Sequence, residues 1–196
     1  MEFSETVQQR QSIKSYQPDR EISDKELKAL MQEVVLSPSS FNLQHWKFIA
    51  VRDSSIKEKI KDSAWSQEQV GTCSVLLVIC GKLDAYQDAS EIYQNVSQPV
   101  REKLLPLIKS FYDGNEQLQR DEAIRSASLA AMTLMLAAHN RGWATVPMIG
   151  FDPQAISQLV HLSDNYIPVM LMSLGYKKED PQPRAYRRPI EEIVKM

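Results

Sequence analysis

The sequence predicts a single domain of mixed helix and sheet, packed as an α/β layer, and three observations carry that expectation. Capped segments with helical periodicity recur along the chain, the plainest being Ser23-Asp-Lys-Glu26 followed by Leu27, Leu30, Met31, Val34 and Val35. Between them stand short apolar runs of strand length, bounded by turn residues. Over 196 residues, 43% apolar and 24% charged, the composition is that of a globular domain large enough for a proper core, which argues against disorder or a fibrous repeat.

Taken in order, residues 2–9 read as a short helix, and periodicity stops at Arg10-Gln-Ser-Ile-Lys-Ser-Tyr16. If that segment is extended or irregular, Arg10, Ser12 and Lys14 share a face: two cations with a hydroxyl between them, a seat for phosphate or carboxylate or else a solvated basic edge. The capping box at Ser23 starts a helix that runs from about Asp24 to Leu36. Pro38 closes it, because the residue before proline is pushed out of the α region. The stretch Leu36-Ser-Pro-Ser-Ser-Phe-Asn-Leu-Gln-His-Trp46 is then a short polar joint. Where extended, it would turn the Asn42 and Gln44 amides to one side and Leu43 and His45 to the other, a strip suited to a flat heteroaromatic ring.

Trp46 to Arg52 reads as a strand, Ser54 or Ser55 caps a short helix through about Ala64, and Ser74 to Cys80 form a more fully buried strand. From Asp88 to Tyr112 the text is helical but punctuated by Pro99 and Pro106, which should split or kink it. Tyr93, Phe111 and Tyr112 there could line a pocket or simply pack. Gln119 to Asn140 is the most helix-prone segment and apolar nearly all round, as expected of a helix buried in the domain or at a subunit interface. Gly142 ends it. Trp143 to Pro147 is a third strand, Asp152-Pro153 opens another helix with an N-cap and an N1 proline, and Tyr166 to Leu174 is a fourth strand whose Pro168 favours its first residues or an edge. The core signal stops after Gly175. The rest carries Pro181, Pro183 and Pro189 with Arg184, Arg187 and Arg188, and ends on Ile190-Glu-Glu-Ile-Val194, which can pair as a strand or lie along a surface.

Several function classes are disfavoured. A net charge of −2 gives no general attraction for nucleic acid or anionic lipid, so either partner would need a local patch. The polar start and the lack of a bilayer-length apolar run lead to the expectation of a cytoplasmic protein. Cys73 and Cys80, on opposite faces of any strand, are expected to be reduced core thiols, and no metal site is expected. There is no Gly-x-Ser-x-Gly elbow, Walker loop, Gly-x-Gly-x-x-Gly or His-Glu-x-x-His. His45, His139 and His161 have no evident partner in sequence. An enzyme with this inventory would rely on a bound cofactor, with the protein supplying position and electrostatics.

Arg10-Gln-Ser-Ile-Lys-Ser-Tyr16, Pro38-Ser-Ser-Phe-Asn-Leu-Gln-His-Trp46 and Pro147-Met-Ile-Gly-Phe-Asp-Pro153 resemble, in order and spacing, the flavin-binding segments of the nitroreductase family. Arg187-Arg-Pro-Ile-Glu-Glu-Ile-Val194 resembles that family's C-terminal arm, so the likeness spans essentially the whole chain. The resemblance implies an α+β fold with a central, mostly antiparallel sheet flanked by helices. It implies a domain over residues 1–175, an arm over 176–196 exchanged in an intertwined homodimer, and FMN held noncovalently at the interface.

Carried over residue by residue, the resemblance puts Arg10 at the flavin phosphate with Gln11 and Ser12 beside it, and Lys14 near the pyrimidine edge. Pro38, Ser39, Ser40 and Asn42, with Gln44 in the same stretch, match residues given by the partner subunit. Pro147, Met148, Ile149 and Gly150 match the segment over the ring, with a backbone N–H aimed at N5, and Ser66 and Gln69 match contacts to the ribityl chain or ring. Arg187 matches a late phosphate-binding arginine. Better-known members carry glutamate where Ile149 stands, and Ala185 replaces a lysine for which Arg184 or Arg188 would substitute. Phe41, Phe111 and Tyr112 are the substrate-side candidates. The implied activity is passage of hydride from NAD(P)H via flavin N5 to nitroaromatic or quinone-like acceptors by a ping-pong mechanism. No side chain acts as a catalyst, while Lys14 and the backbone of Ile149 and Gly150 tune the flavin. The alternatives are other flavin chemistry on the same fold, such as reductive dehalogenation or flavin fragmentation, and a non-catalytic FMN-binding sensor.

Overall fold

Four antiparallel strands in the order β1-β2-β4-β3 form the sheet: β1 (Trp46–Val51), β2 (Val75–Lys82), β3 (Ala144–Met148) and β4 (Tyr166–Gly175). The computed structural model describes residues 2–196. Before the sheet come α1 (Phe3–Gln9) and α2 (Asp24–Val34). Between β1 and β2 lie α3 (Ser54–Ser63) and α4 (Glu68–Thr72), and between β2 and β3 lie α5 (Ala89–Ile92), α6 (Gln98–Tyr112) and α7 (Glu116–Asn140). α8 (Pro153–Leu159) joins β3 to β4, and α9 (Ile190–Ile193) sits in the C-terminal arm.

β2 is interior, so its side chains feed two cores alternately, as the two-residue period of a strand requires. Val75, Leu77 and Ile79 pack with α2 and α7 through Leu30, Val34, Ala127, Ala131 and Leu134. Leu76, Val78 and Cys80 pack on the other face with Ile60 of α3, Ile156 of α8 and Tyr16. A third cluster, Leu43, Ala85, Ala89, Ile108 and Tyr112, lies under α5 and α6. The alanines of α7 let it approach the sheet closely: a Cβ on Gly81 would stand 2.7 Å from the Ala123 carbonyl oxygen. α7 is not covered all round, since Leu129 and Met132 remain exposed.

Ser23 makes the expected capping box with Glu26, and Asp152 caps α8 ahead of Pro153. Pro168 pairs with β2 alone, because β3 reaches only from Leu171 to Gly175, so it lies where one side of β4 is a locally unpaired edge. Pro99 falls at the expected break, since the helical text splits between α5 and α6 and Pro99 sits in the first turn of α6, where its missing N–H has no intrahelical partner to lose. Other expectations are corrected. Asp53, not Ser54 or Ser55, caps α3 by accepting from the Ile56 N–H. Pro106 lies on the exposed side, where water can reach the carbonyl it leaves unbonded, and the helix runs through it. Cys73 precedes β2 instead of lying in it, so strand alternation does not separate it from Cys80; both face one core. Burial pushes the two thiols up, Cys73 to about 11 and Cys80 to about 12, which leaves them unreactive. Ile190–Ile193 is a helical turn with its apolar side chains exposed. No described helix is long and apolar enough to cross a membrane.

Candidate functional site

The chain leaves α1 at Arg10 and runs beside β3, where Ser12 bridges to Thr145 in parallel and the Ile13 N–H donates to the Thr145 carbonyl at 3.1 Å. The C-terminal arm lies against the same segment. Arg184 Nη2 donates to the carbonyls of Gln8 at 2.6 Å and Arg10 at 3.0 Å, tying the arm to the end of α1. Between them is a cavity of about 480 Å³ lined by Arg10, Gln11, Ser12, Lys14, Arg184 and Arg187, among others. Burial, then the nearby charges of Arg184 and Arg187, lower the Arg10 guanidinium below its usual value. On the same rim, Asp180 is taken by Lys177 at 2.5 Å. Glu179 also lines the cavity, so four cations stand against two carboxylates, one of them already paired, and the remaining excess of positive charge suits an anion.

The end of β3 forms a second part of the site. Met148 is buried and Gly150 follows Ile149, whose side chain is 80% exposed. Gln67 Nε2 donates to the Gly150 carbonyl at 3.0 Å, and Gln69 Nε2 donates to Gln67 Oε1 at 2.9 Å and meets Met148 Sδ at 3.3 Å. Gln69 thus holds the strand end from beneath. Trp65 and Ser66 both take left-handed backbone (φ 53° and 54°), which turns the Trp65 indole outward, 78% exposed, against Gly150. Sequence reasoning missed Trp65 and Gln67; only an aromatic beside Ser66-Gln-Glu-Gln69 hints at them.

The third part is the joint after α2. It is not the extended strip expected: Ser40–Asn42 is a 3-10 turn, and Phe41, Asn42 and Gln44 have φ of 49°, 50° and 51°. Side chains hold this strained path. Ser39 Oγ accepts from the Gln44 N–H at 2.9 Å, Tyr93 donates to the Phe41 carbonyl at 2.9 Å, and the Tyr112 and Ser40 hydroxyls are bonded at 2.7 Å. Phe41, Phe111 and Tyr112 do come together, with ring centroids 5.6 Å apart for Phe41–Phe111 and 5.1 Å for Phe111–Tyr112. Tyr112 is buried, while Phe41 is half-buried and Phe111 exposed.

Arg10, Gln11, Ser12, Lys14 and Arg187 therefore share the first cavity. Pro38, Ser39, Ser40, Asn42 and Gln44 stand outside it, as do Ser66, Gln69 and Pro147–Gly150, and Arg188 is exposed without lining it. Of the two arginines weighed against Ala185, Arg184 reaches the cavity. His45 is 1% exposed, has no partner for Nδ1, and is lowered to about 4 by burial, only partly opposed by the charge of Glu122. No cluster of His, Cys, Asp and Glu suited to a metal occurs among the described residues. The donor set of the first cavity, guanidinium and ammonium groups beside a hydroxyl, fits a phosphate-bearing cofactor.

A model of the nitroreductase family matches residues 7–176. The chain is 38% identical over 201 residues to a protein provisionally named NAD(P)H nitroreductase MhqN of Bacillus subtilis, covering 98% of each. It is 35% identical to Protein DrgA of a Synechocystis species, over 92% of this chain and 86% of that one. Among solved structures, a provisionally named nitroreductase, ydfN of Bacillus subtilis, superposes with a TM-score of 0.95 at 38% identity over 99% of this chain and 98% of that one. Another so named, from Exiguobacterium sibiricum and solved in complex with FMN, superposes at 0.94 with 30% identity over 100% and 97%. With sequence and fold in agreement from end to end, the chain belongs to the nitroreductase family.

Proposed function

We propose that two copies of this chain hold FMN noncovalently at their interface and pass electrons from NAD(P)H to flat, electron-poor acceptors such as nitroaromatics and quinones, by a ping-pong mechanism. The observation that carries this reading is the convergence of Arg10, Ser12, Lys14, Arg184 and Arg187 on one cavity. The FMN complex of the Exiguobacterium relative supports it. Bound FMN would supply the redox chemistry, accepting hydride from a nicotinamide and returning the electrons to an acceptor.

The chain's own residues would then position and tune. Arg10 and Arg187 hold the phosphate. Lys14, further along a segment parallel to β3, places a positive charge toward the ring edge, where negative charge gathers on reduction. The amides of Ile149 and Gly150 face the ring, and Gln67 and Gln69 fix that strand end so that their direction is set. Ser66 is assigned to the ribityl side, and Gln69, 4% exposed, acts on that side through the strand end it holds. The isoleucine at 149 offers its backbone but no carboxylate. Trp65, Phe41 and Phe111 supply apolar surface for a flat acceptor, with Tyr112 acting by packing behind Phe41, and such surfaces select by stacking more than by directed bonds.

A second chain is required on this reading. Pro38, Ser39, Ser40, Asn42 and Gln44 lie outside their own chain's cation cavity and would complete the partner's site. Exposed Phe3, Val7, Val35, Leu36, Leu129 and Met132, and the bare Ile190, Ile193 and Val194 of the arm, provide apolar surface for the pairing. On this reading the body spans residues 1–175 and the exchanged arm 176–196. A cytoplasmic location suits a donor such as NAD(P)H. Purified protein should be yellow, with the released cofactor having the mass of FMN, and NAD(P)H should bleach it without oxygen. Bound FMN that NAD(P)H fails to bleach would remove the reductase reading.

A further inference from the structure

We propose that a second cavity, lined by Arg20, Arg52, Lys57, Thr72 and Lys178, is a binding site for a compact phosphate-type anion, separate from the cation cavity described above. It measures about 430 Å³ and lies between the Tyr16–Glu21 segment, the end of β1 and the turn from α4 to β2. The backbone keeps the two cavities apart. Tyr16 bridges to Lys177, the Gln17 N–H donates to the Tyr176 carbonyl at 2.8 Å, and the Lys178 N–H donates to the Ser15 carbonyl at 3.0 Å.

The charges around it are not balanced. Lys57 is 8% exposed, yet its ammonium has a single protein acceptor, the Cys73 carbonyl at 2.7 Å. Among the described residues no carboxylate lies within 4.0 Å of the charged nitrogens of Lys57, Arg20 or Lys178, although the Arg20 guanidinium stacks on Tyr176, 3.6 Å from the ring centroid, so the unmet donors are chiefly those of Lys57 and Arg52. Arg52 Nη2 stands 3.0 Å from Asp24 Oδ1 without the alignment of a hydrogen bond, and that buried nitrogen has no other partner. Asp24 is almost fully in solvent, so the contact is a weak one. Glu21 is the single carboxylate on the lining against four cations. A buried cation with unused donors is costly unless something accepts from it.

The lining also indicates what would be accepted. Thr72 adds a hydroxyl, and Arg52 offers a fork that suits a tetrahedral oxyanion. The aromatic on the lining, Tyr16, is buried with its hydroxyl bonded to Ser173, so it presents no face for stacking a base or nicotinamide. The geometry therefore selects inorganic phosphate or a small phosphate monoester over a nucleotide.

The test is thermal unfolding of the full chain saturated with FMN, so that the first cavity is occupied, titrated with phosphate at constant ionic strength set by chloride. A saturable rise in Tm is expected, since a ligand that binds only the folded state stabilises it by mass action. Lys57→Met and Arg52→Gln should abolish the rise while leaving flavin absorbance unchanged. Should Lys57→Met fail to fold, Arg20→Gln combined with Lys178→Gln alters exposed side chains only and should reduce the apparent affinity at least tenfold. A parallel titration with a sugar phosphate tells a free-anion site from a monoester site, a rise in either arm supporting the proposal. No rise with either, or an equal rise in all variants, overturns it. The variants decide the matter whether or not the flavin reading holds, because none of the altered residues lines the first cavity.

Discussion

Gly150 has no room for a side chain: a Cβ there would meet the Trp65 ring at 2.5 Å. The obstacle is the far edge of an exposed indole, which can swing aside, so Gly150→Ala should cost less than about 1 kcal/mol of stability. It should nevertheless move the wall beside Ile149, and the KM for a flat acceptor should rise severalfold, with a shifted tryptophan emission. Trp65→Ala in the same background should remove the emission change, and an unaltered KM in both variants would deny Trp65 a place at the acceptor. Lys14 makes a second case. Lys14→Ala should retain some FMN but lower the flavin reduction potential, and an unchanged potential would show that the cation is elsewhere.

His45 gives a prediction in pH. The unfolded chain takes up its proton near 6.5, while the folded protein refuses it until about 4. Acid therefore favours the unfolded state, and stability should fall as pH drops from about 6.5 to 4, by up to about 3 kcal/mol. Denaturant melts at pH 7 and pH 4.5 should show that loss shrink in His45→Phe, and an identical loss in the variant would clear His45. None of this was legible in the letters. Phe41, Asn42, Gln44, Trp65 and Ser66 take positive φ with no glycine to announce it, so the strain comes from tertiary bonds such as Tyr93 to Phe41.

At the level of elements, local chemistry was readable and long-range chemistry was not. The caps at Ser23 and Asp152 and the end of α7 at Gly142 need only neighbours in sequence, so they could be read directly. Asp53 displaced Ser54 and Ser55 as the cap of α3 because all are competent and only one sits where its carboxylate meets the Ile56 N–H. The tolerance of α6 for Pro106 depends on which side of the helix faces water. The closeness of α7 to β2 is likewise a three-dimensional fact, with a direct consequence. In Gly81→Ala the new Cβ would press on backbone, the Ala123 carbonyl, which cannot swing away. A loss of about 1–3 kcal/mol is expected in equilibrium denaturation, more than for Gly150→Ala, and a smaller loss would mean that α7 can shift.

Over the whole molecule, the arm explains why part of the site was legible and part was not. Arg10, Ser12 and Lys14 are close in sequence and Arg187 is far, yet Arg184 bonds to Gln8 and Arg10 and so brings the arm to the cavity. The Pro38–Gln44 joint stays apart from that cavity within one chain. A chain truncated after Gly175 loses Arg184, Arg187 and the apolar end of the arm together, and should lose both FMN retention and self-association, as read by flavin absorbance and light scattering. Sedimentation velocity of the full chain, followed at a flavin wavelength and a protein wavelength, tests the shared site most directly. Colour and protein should travel together at twice the chain's mass, with equal numbers of flavins and chains. Flavin fully retained on a species of single-chain mass, or a colourless dimer that ignores added FMN, would contradict it.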